Sequence, residues 1–265
     1  MNNVFDIKRF GNYFLYDLRR ARNNYALSLL ILGTLFISIF VFYELFSLIF
    51  TQEIQPLPDA IKYMSLFVAL CIVIIGSGTK LYGSLTEKRA GSDFLMLPAS
   101  TLEKWLSMAL VVCVVLPLVL FALQFASDAL MSFFFPNTYG DRVLSLIPLQ
   151  EMKDAMAEEG LHVNLEASLF FNWCINVLTF TLGAVCFKKS KVAKTLLCIF
   201  GLSIVLSTLL AIFVGTDGVY INTLEMFESP AAAVRTINWV ANIVYFVFIG
   251  GLLGGLYYRL RTINH

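Results

Sequence analysis

The chain is 265 residues long with a formal net charge of +1; it is 58% hydrophobic and only 14% charged, where a soluble domain carries roughly a quarter charged residues. Such a composition excludes an ordinary soluble enzyme core, and the near-neutral sum excludes the global field that would draw a chain to nucleic acid. The apolar residues gather into runs near the roughly 20 residues that a helix needs to cross a hydrocarbon core, so lipid is the solvent this sequence expects.

At the start, residues 1–24 are polar and of mixed charge. Ile7, Phe10, Phe14 and Leu18 recur at spacings of three and four, with Lys8, Arg9, Arg19 and Arg20 on the other faces. That pattern predicts an amphipathic helix lying in the membrane interface; the plainer alternative is a basic flank that sets topology. The apolar run that follows is too long for the h-region of a signal peptide, so the first span is expected to stay in the mature protein. Six spans are predicted, at 25–50, 61–81, 106–130, 168–187, 195–214 and 239–258, giving one all-α, polytopic transmembrane domain over 1–265. Most connections are short. The exceptions are 82–105, 131–167 and 215–238. Within the second of these, LQEMKDAMAEE at 149–159 follows Pro148 and precedes Gly160, which predicts a short amphipathic helix.

Charge then orients the spans. Lys8, Arg9, Arg19, Arg20 and Arg22 precede the first span; Lys80, Lys88, Arg89 and Lys104 flank the second connection; Lys188, Lys189, Lys191 and Lys194 occupy the fourth; Arg259 and Arg261 follow the last. Together these are fifteen of the 19 basic residues. The other side keeps Lys62, Arg142, Lys153 and Arg235 and most of the acids. The positive-inside rule puts both termini in the cytoplasm, which an even number of spans satisfies.

The second connection carries more than a turn requires. Phe94, Leu95, Met96 and Leu97 form an apolar block, with Glu87, Lys88, Arg89 and Asp93 before it and Glu103 and Lys104 after it. An apolar knob with a charged rim is what a docking surface for a soluble partner needs; the alternative is a block that dips into the interface. Pro98 breaks the segment, and Ser100 or Thr101 is placed to cap a new helix with Glu103 or Lys104 in its first turn.

Read as Glu87-Lys88-Arg89-Ala90-Gly91, Phe94-Leu95-Met96-Leu97-Pro98, Ser100 and Glu103-Lys104, this segment resembles the cytoplasmic connection of ABC-2 type transporter permeases, especially those of Bacteroidota. The resemblance implies a six-span subunit of an exporter in the bacterial cytoplasmic (inner) membrane. It also implies a coupling helix between spans two and three that docks on a separate ATP-binding subunit, and a second permease that completes a homodimer or heterodimer. ATP and Mg would then be held by the partner ATPase and no cofactor by this chain. The cargo would be a lipid-like, peptide or glycan substrate. In that family the last outer connection often forms paired re-entrant half-helices, whereas residues 216–238 read as a plain polar loop.

No G-x-x-x-x-G-K-[ST] is present, and Gly76-Ser77-Gly78-Thr79-Lys80 lacks the spacing, so it reads as close helix packing. Gly250, Gly251, Gly254 and Gly255 form two overlapping G-x-x-x-G pairs in the last span. These suit close approach of another helix, within the chain by preference or at a dimer seam. Glu44, Gln124 and Asp128 lie in apolar spans and either line a pathway for a polar group or reach interfacial water. The cysteines Cys71, Cys113, Cys174, Cys186 and Cys198 all sit in apolar runs and read as small buried residues, with no metal or disulfide framework expected. With His162 and His265 the only histidines, no H-E-x-x-H motif and no serine–histidine pair within the membrane can be assembled. The expectation is a non-enzymatic permease; the alternative is a membrane scaffold, sensor or immunity protein that docks a cytoplasmic partner.

Overall fold

A computed structural model describes residues 5–87, 91, 94, 96–146, 154, 165–214 and 230–262; the side chains of 165, 209–214, 230–238 and 241 are outside the description. The elements are α1 (Ile7–Gly33), α2 (Leu35–Phe50), α3 (Asp59–Tyr82), α4 (Thr101–Leu110), α5 (Leu116–Phe134), α6 (Val143–Leu146), α7 (Leu165–Cys186), α8 (Lys191–Val214) and α9 (Pro230–Arg261). A 3₁₀ turn at Gly83–Thr86 follows α3, and a π-helical segment at Val111–Val115 joins α4 to α5. Among the described residues, five helical stretches are long and apolar enough to cross a membrane, and the bent pair α1 and α2 makes a sixth if taken as one span. The protein is an all-helical membrane protein.

The predicted division near residue 24 is absent. α1 runs unbroken from Ile7 to Gly33, and the chain bends by 42° only at Thr34. Carbonyls loosened by a bend need new donors. Ser127 of α5 donates to Gly33 O at 2.8 Å and Gln124 Nε2 to Leu32 O at 3.4 Å, while the Thr34 hydroxyl donates to Leu30 O at 3.0 Å. Nor does the stripe of Ile7, Phe10, Phe14 and Leu18 face lipid along its whole length. Ile7 is exposed, but Phe14 and Leu18 pack on the protein's own core, as Tyr13 does one residue round the helix.

The third predicted span, 106–130, is the middle of one continuous stretch from Thr101 to Phe134. Pro117 lies inside it, and proline lacks the N–H and crowds the carbonyl four residues back. The register shift at Val111–Val115 absorbs that defect: the Leu116 N–H donates to Val111 O, five residues back. The last helix begins at Pro230, well before the predicted start at 239, so part of the expected polar loop is helical.

The core gathers α1, α3, α4, α5, α7 and the end of α9 around Val73, Met108, Leu120, Val177 and Leu256. α3 and α7 make the most extensive pairing. They meet at Gly78, where a Cβ would lie 2.7 Å from the Thr181 Cα, so no larger residue fits without parting the helices. Among the described residues α8 is the least embedded of the long apolar helices, with 6% of Lys191–Thr208 buried against 44% within α7.

Candidate functional site

The basic ends of the spans converge on one face of the bundle. Arg20 donates to Ser84 Oγ at 3.0 Å, Lys191 donates to Gly83 O, and Arg259 donates to Val185 O at 3.4 Å. Around them lies the connection between α3 and α4. Of its predicted docking residues, Lys88, Arg89 and Leu95 lie outside the described residues, as does most of 149–159.

α4 starts on a full capping box. Ser100 Oγ accepts from the Glu103 N–H at 3.3 Å, and the Ser100 N–H donates to Glu103 Oε2 at 2.8 Å. The same carboxylate, with the residue 0% exposed, also accepts from the Asp6 N–H at 3.0 Å and from Arg9 Nε and Nη2 at 2.8 and 2.7 Å. A buried charge is tolerable only when paired and saturated with donors, and here the donors come from two places in the chain. Glu103 therefore fastens the start of α1 to the start of α4. It is a buried hub, not part of an exposed rim.

Lys104 is turned inward too. Its Nζ donates to Phe94 O at 2.7 Å and stands 4.7 Å from the centre of the Phe94 ring. Phe94 itself is 4% exposed and belongs to the core. The expected apolar knob is thus divided: Phe94 points in, Leu97 packs partly against the core, and Met96 stands 80% exposed beside exposed Pro98. Gly91 is buried and its N–H donates to Glu87 O at 2.8 Å, while the Glu87 side chain faces solvent.

Beneath this lies a group that sequence reasoning missed. Asp17 is 2% exposed, and its Oδ2 accepts from the Tyr82 hydroxyl at 2.9 Å and the Ser107 hydroxyl at 2.7 Å. One carboxylate so joins α1, α3 and α4. The signal was available: Asp17 sits between Phe14 and Leu18, on the apolar side of an amphipathic helix, where a carboxylate needs a buried partner.

At the other end, Asp128 is 1% exposed and accepts from the Tyr139 hydroxyl at 2.6 Å and the Val143 N–H at 2.9 Å. Lys62, expected as a plain outer charge, is 1% exposed, donates to Asp141 O at 3.0 Å and lies 4.5 Å from the Tyr139 ring centre. Burial, reinforced by the bond to Asp128, pushes the Tyr139 phenol above its ordinary range. Asp128 thus ties down the connection after α5. Gln124 is fully buried beside the bend, and one Glu44 carboxylate oxygen is buried without a hydrogen-bond partner among the described residues.

The glycines of the last helix divide: Gly255 packs within the chain on α7, while the other three face no neighbour among the described residues. Among the described residues, a Cβ on Gly250, Gly251 or Gly254 would meet nothing within 4 Å, and one on Gly255 would touch Leu182 at 3.5 Å. Trp105 lies near this face, donating from Nε1 to Leu253 O at 2.9 Å.

Comparison with family models, with curated proteins and with solved structures gave no match.

Proposed function

We propose that this chain is the transmembrane permease subunit of an ATP-driven exporter. It works in the bacterial cytoplasmic membrane with a separate ATP-binding subunit and a second permease, and itself performs no catalysis. The observation that carries the reading is how Met96 is mounted. This exposed apolar side chain sits on a connection tied to α1 through Glu103 and Arg9. Lys104 holds the connection on Phe94, and Asp17 binds the adjoining ends of α1, α3 and α4 together. A force applied at Met96 therefore reaches three helices at once, which is what converting a motor's closure into a change of access requires. The sequence resemblance of 86–105 to ABC-2 permeases supplies the identity of the motor. The bare glycine face at Gly250, Gly251 and Gly254 supports close approach by a second permease helix.

The test is co-expression with an ATP-binding subunit and purification in mild detergent. Met96→Glu is expected to abolish co-purification of the ATPase while leaving membrane insertion intact, because Met96 supports nothing in the core. Substitution of Phe94 would be uninformative, since it removes a core residue. If the ATPase stays bound to Met96→Glu, or if the native partner recovered is a signalling protein without nucleotide-binding motifs, the exporter reading falls and the docking-scaffold reading takes its place.

A further inference from the structure

The geometry points to a binding site for one acyl chain of an anionic phospholipid, drawn from the leaflet on the basic side, in the groove between α1 and α5. The groove encloses about 270 Å³. Leu18, Ala26 and Leu30 line it from α1 and Val115, Val119 and Leu123 from the facing stretch; among the described residues that line it only Arg22 is polar. That volume falls just short of the roughly 300 Å³ where pockets for small molecules begin, so it takes no more than part of one chain, the rest lying along the open flank.

Its length and ends fit the same occupant. From Leu18 to Leu30 a helix rises about 18 Å, against about 15 Å for half of a hydrocarbon core. The far end is closed at the bend, where Leu123 abuts Gly33 so tightly that a Cβ there would overlap it. The groove thus stops near the midplane, where an acyl chain stops. Its flank is open to lipid, since Leu30 is 53% and Val119 is 36% exposed, so a chain can enter sideways.

Charge selects the headgroup. Helical side chains lean toward the helix N-terminus, which for α1 is the basic end. Arg22, exposed, therefore extends from the groove toward the headgroup level, where a guanidinium pairs with a phosphate in bidentate fashion. A groove of similar kind at Leu35, Ile39, Met64 and Val68 has, among the described residues, no basic residue in its lining. It serves as an internal control.

The experiment is native mass spectrometry of the delipidated full chain with equimolar phosphatidylglycerol and phosphatidylcholine of identical chains. The wild type is expected to retain phosphatidylglycerol about fivefold over phosphatidylcholine, as one cation near the headgroups allows. Arg22→Gln should bring the ratio to about one while some lipid still binds, and Arg22→Lys should keep most of the preference. Ala26→Phe and Val119→Phe fill the groove from opposite walls and should each lose both lipids, so a misfolded variant of one leaves the other to read. Met64→Phe, in a control groove, should change nothing. Equal retention by the wild type, a preference that survives Arg22→Gln, or undiminished lipid on both filled variants overturns the site. Loss or retention of the ATPase bears on none of these readings.

Discussion

At the scale of single residues, the buried acids are the strongest constraints, because each holds hydroxyl or N–H donors from several elements. Removing Asp17 would strand the Tyr82 and Ser107 hydroxyls, at about 1–3 kcal/mol for each orphaned group. Asp17→Leu should therefore lower the melting temperature in detergent sharply, and adding Tyr82→Phe and Ser107→Ala should recover part of the loss. A melting curve unchanged by Asp17→Leu would show that the cluster holds nothing together. Tyr139 gives a pH-dependent counterpart. The folded state holds its proton more tightly than the unfolded chain does, so its contribution is intact below pH about 10 and fades as pH rises beyond that. The stability advantage of the wild type over Tyr139→Phe should shrink between pH 8 and pH 11, and an advantage constant over that range would refute it. Glu44, Gln124 and Asp128 were legible as unusual polar residues in apolar spans. That Asp128 would be consumed by Tyr139 and the Val143 N–H was not, because no local spacing links a span to a turn eleven residues on.

At the scale of elements, the same residue type separates two kinds of helix face. Gly78 is pressed against the backbone of Thr181, whereas Gly250 faces open space. Gly78→Ala should cost about 1–3 kcal/mol by forcing α3 from α7, and Gly250→Ala should leave thermal stability of the isolated chain unchanged. Equal effects from the two in a melting assay would contradict the packing. The apolar helices themselves were readable from run length, and the start of α4 from the candidate caps Ser100 and Thr101 after Pro98, since both are local signals; the full capping box between Ser100 and Glu103 emerged only from the fold. The bend was displaced from the predicted junction near residue 24 to Thr34, because it follows donors on α5 and not the polarity change along α1. The inward turn of Phe94 and Lys104 was equally hidden: a charged residue beside an apolar block reads as a rim until the fold shows which carbonyl its ammonium reaches.

At the scale of the whole molecule, interlocking is uneven. Asp17, Glu103 and the Gly78 contact bind α1, α3, α4 and α7 into one block, and Asp128 and Lys62 close its opposite end. α8 and the middle of α9 lie outside it: Phe200, Leu202, Phe246 and Val247 are all exposed, while Leu256 and Leu260 near the end of α9 are buried. That the chain holds five or six long apolar helices, and the basic asymmetry between their ends, were legible because they depend on composition alone. Which helices interlock and which merely lean was not, since both kinds are equally apolar. The slender grip on α8 has a practical meaning for anyone handling the protein: its seat depends on the lateral pressure of surrounding amphiphiles more than on neighbours in the chain, so a micelle of mismatched thickness would tilt that rod first while the rest kept its shape.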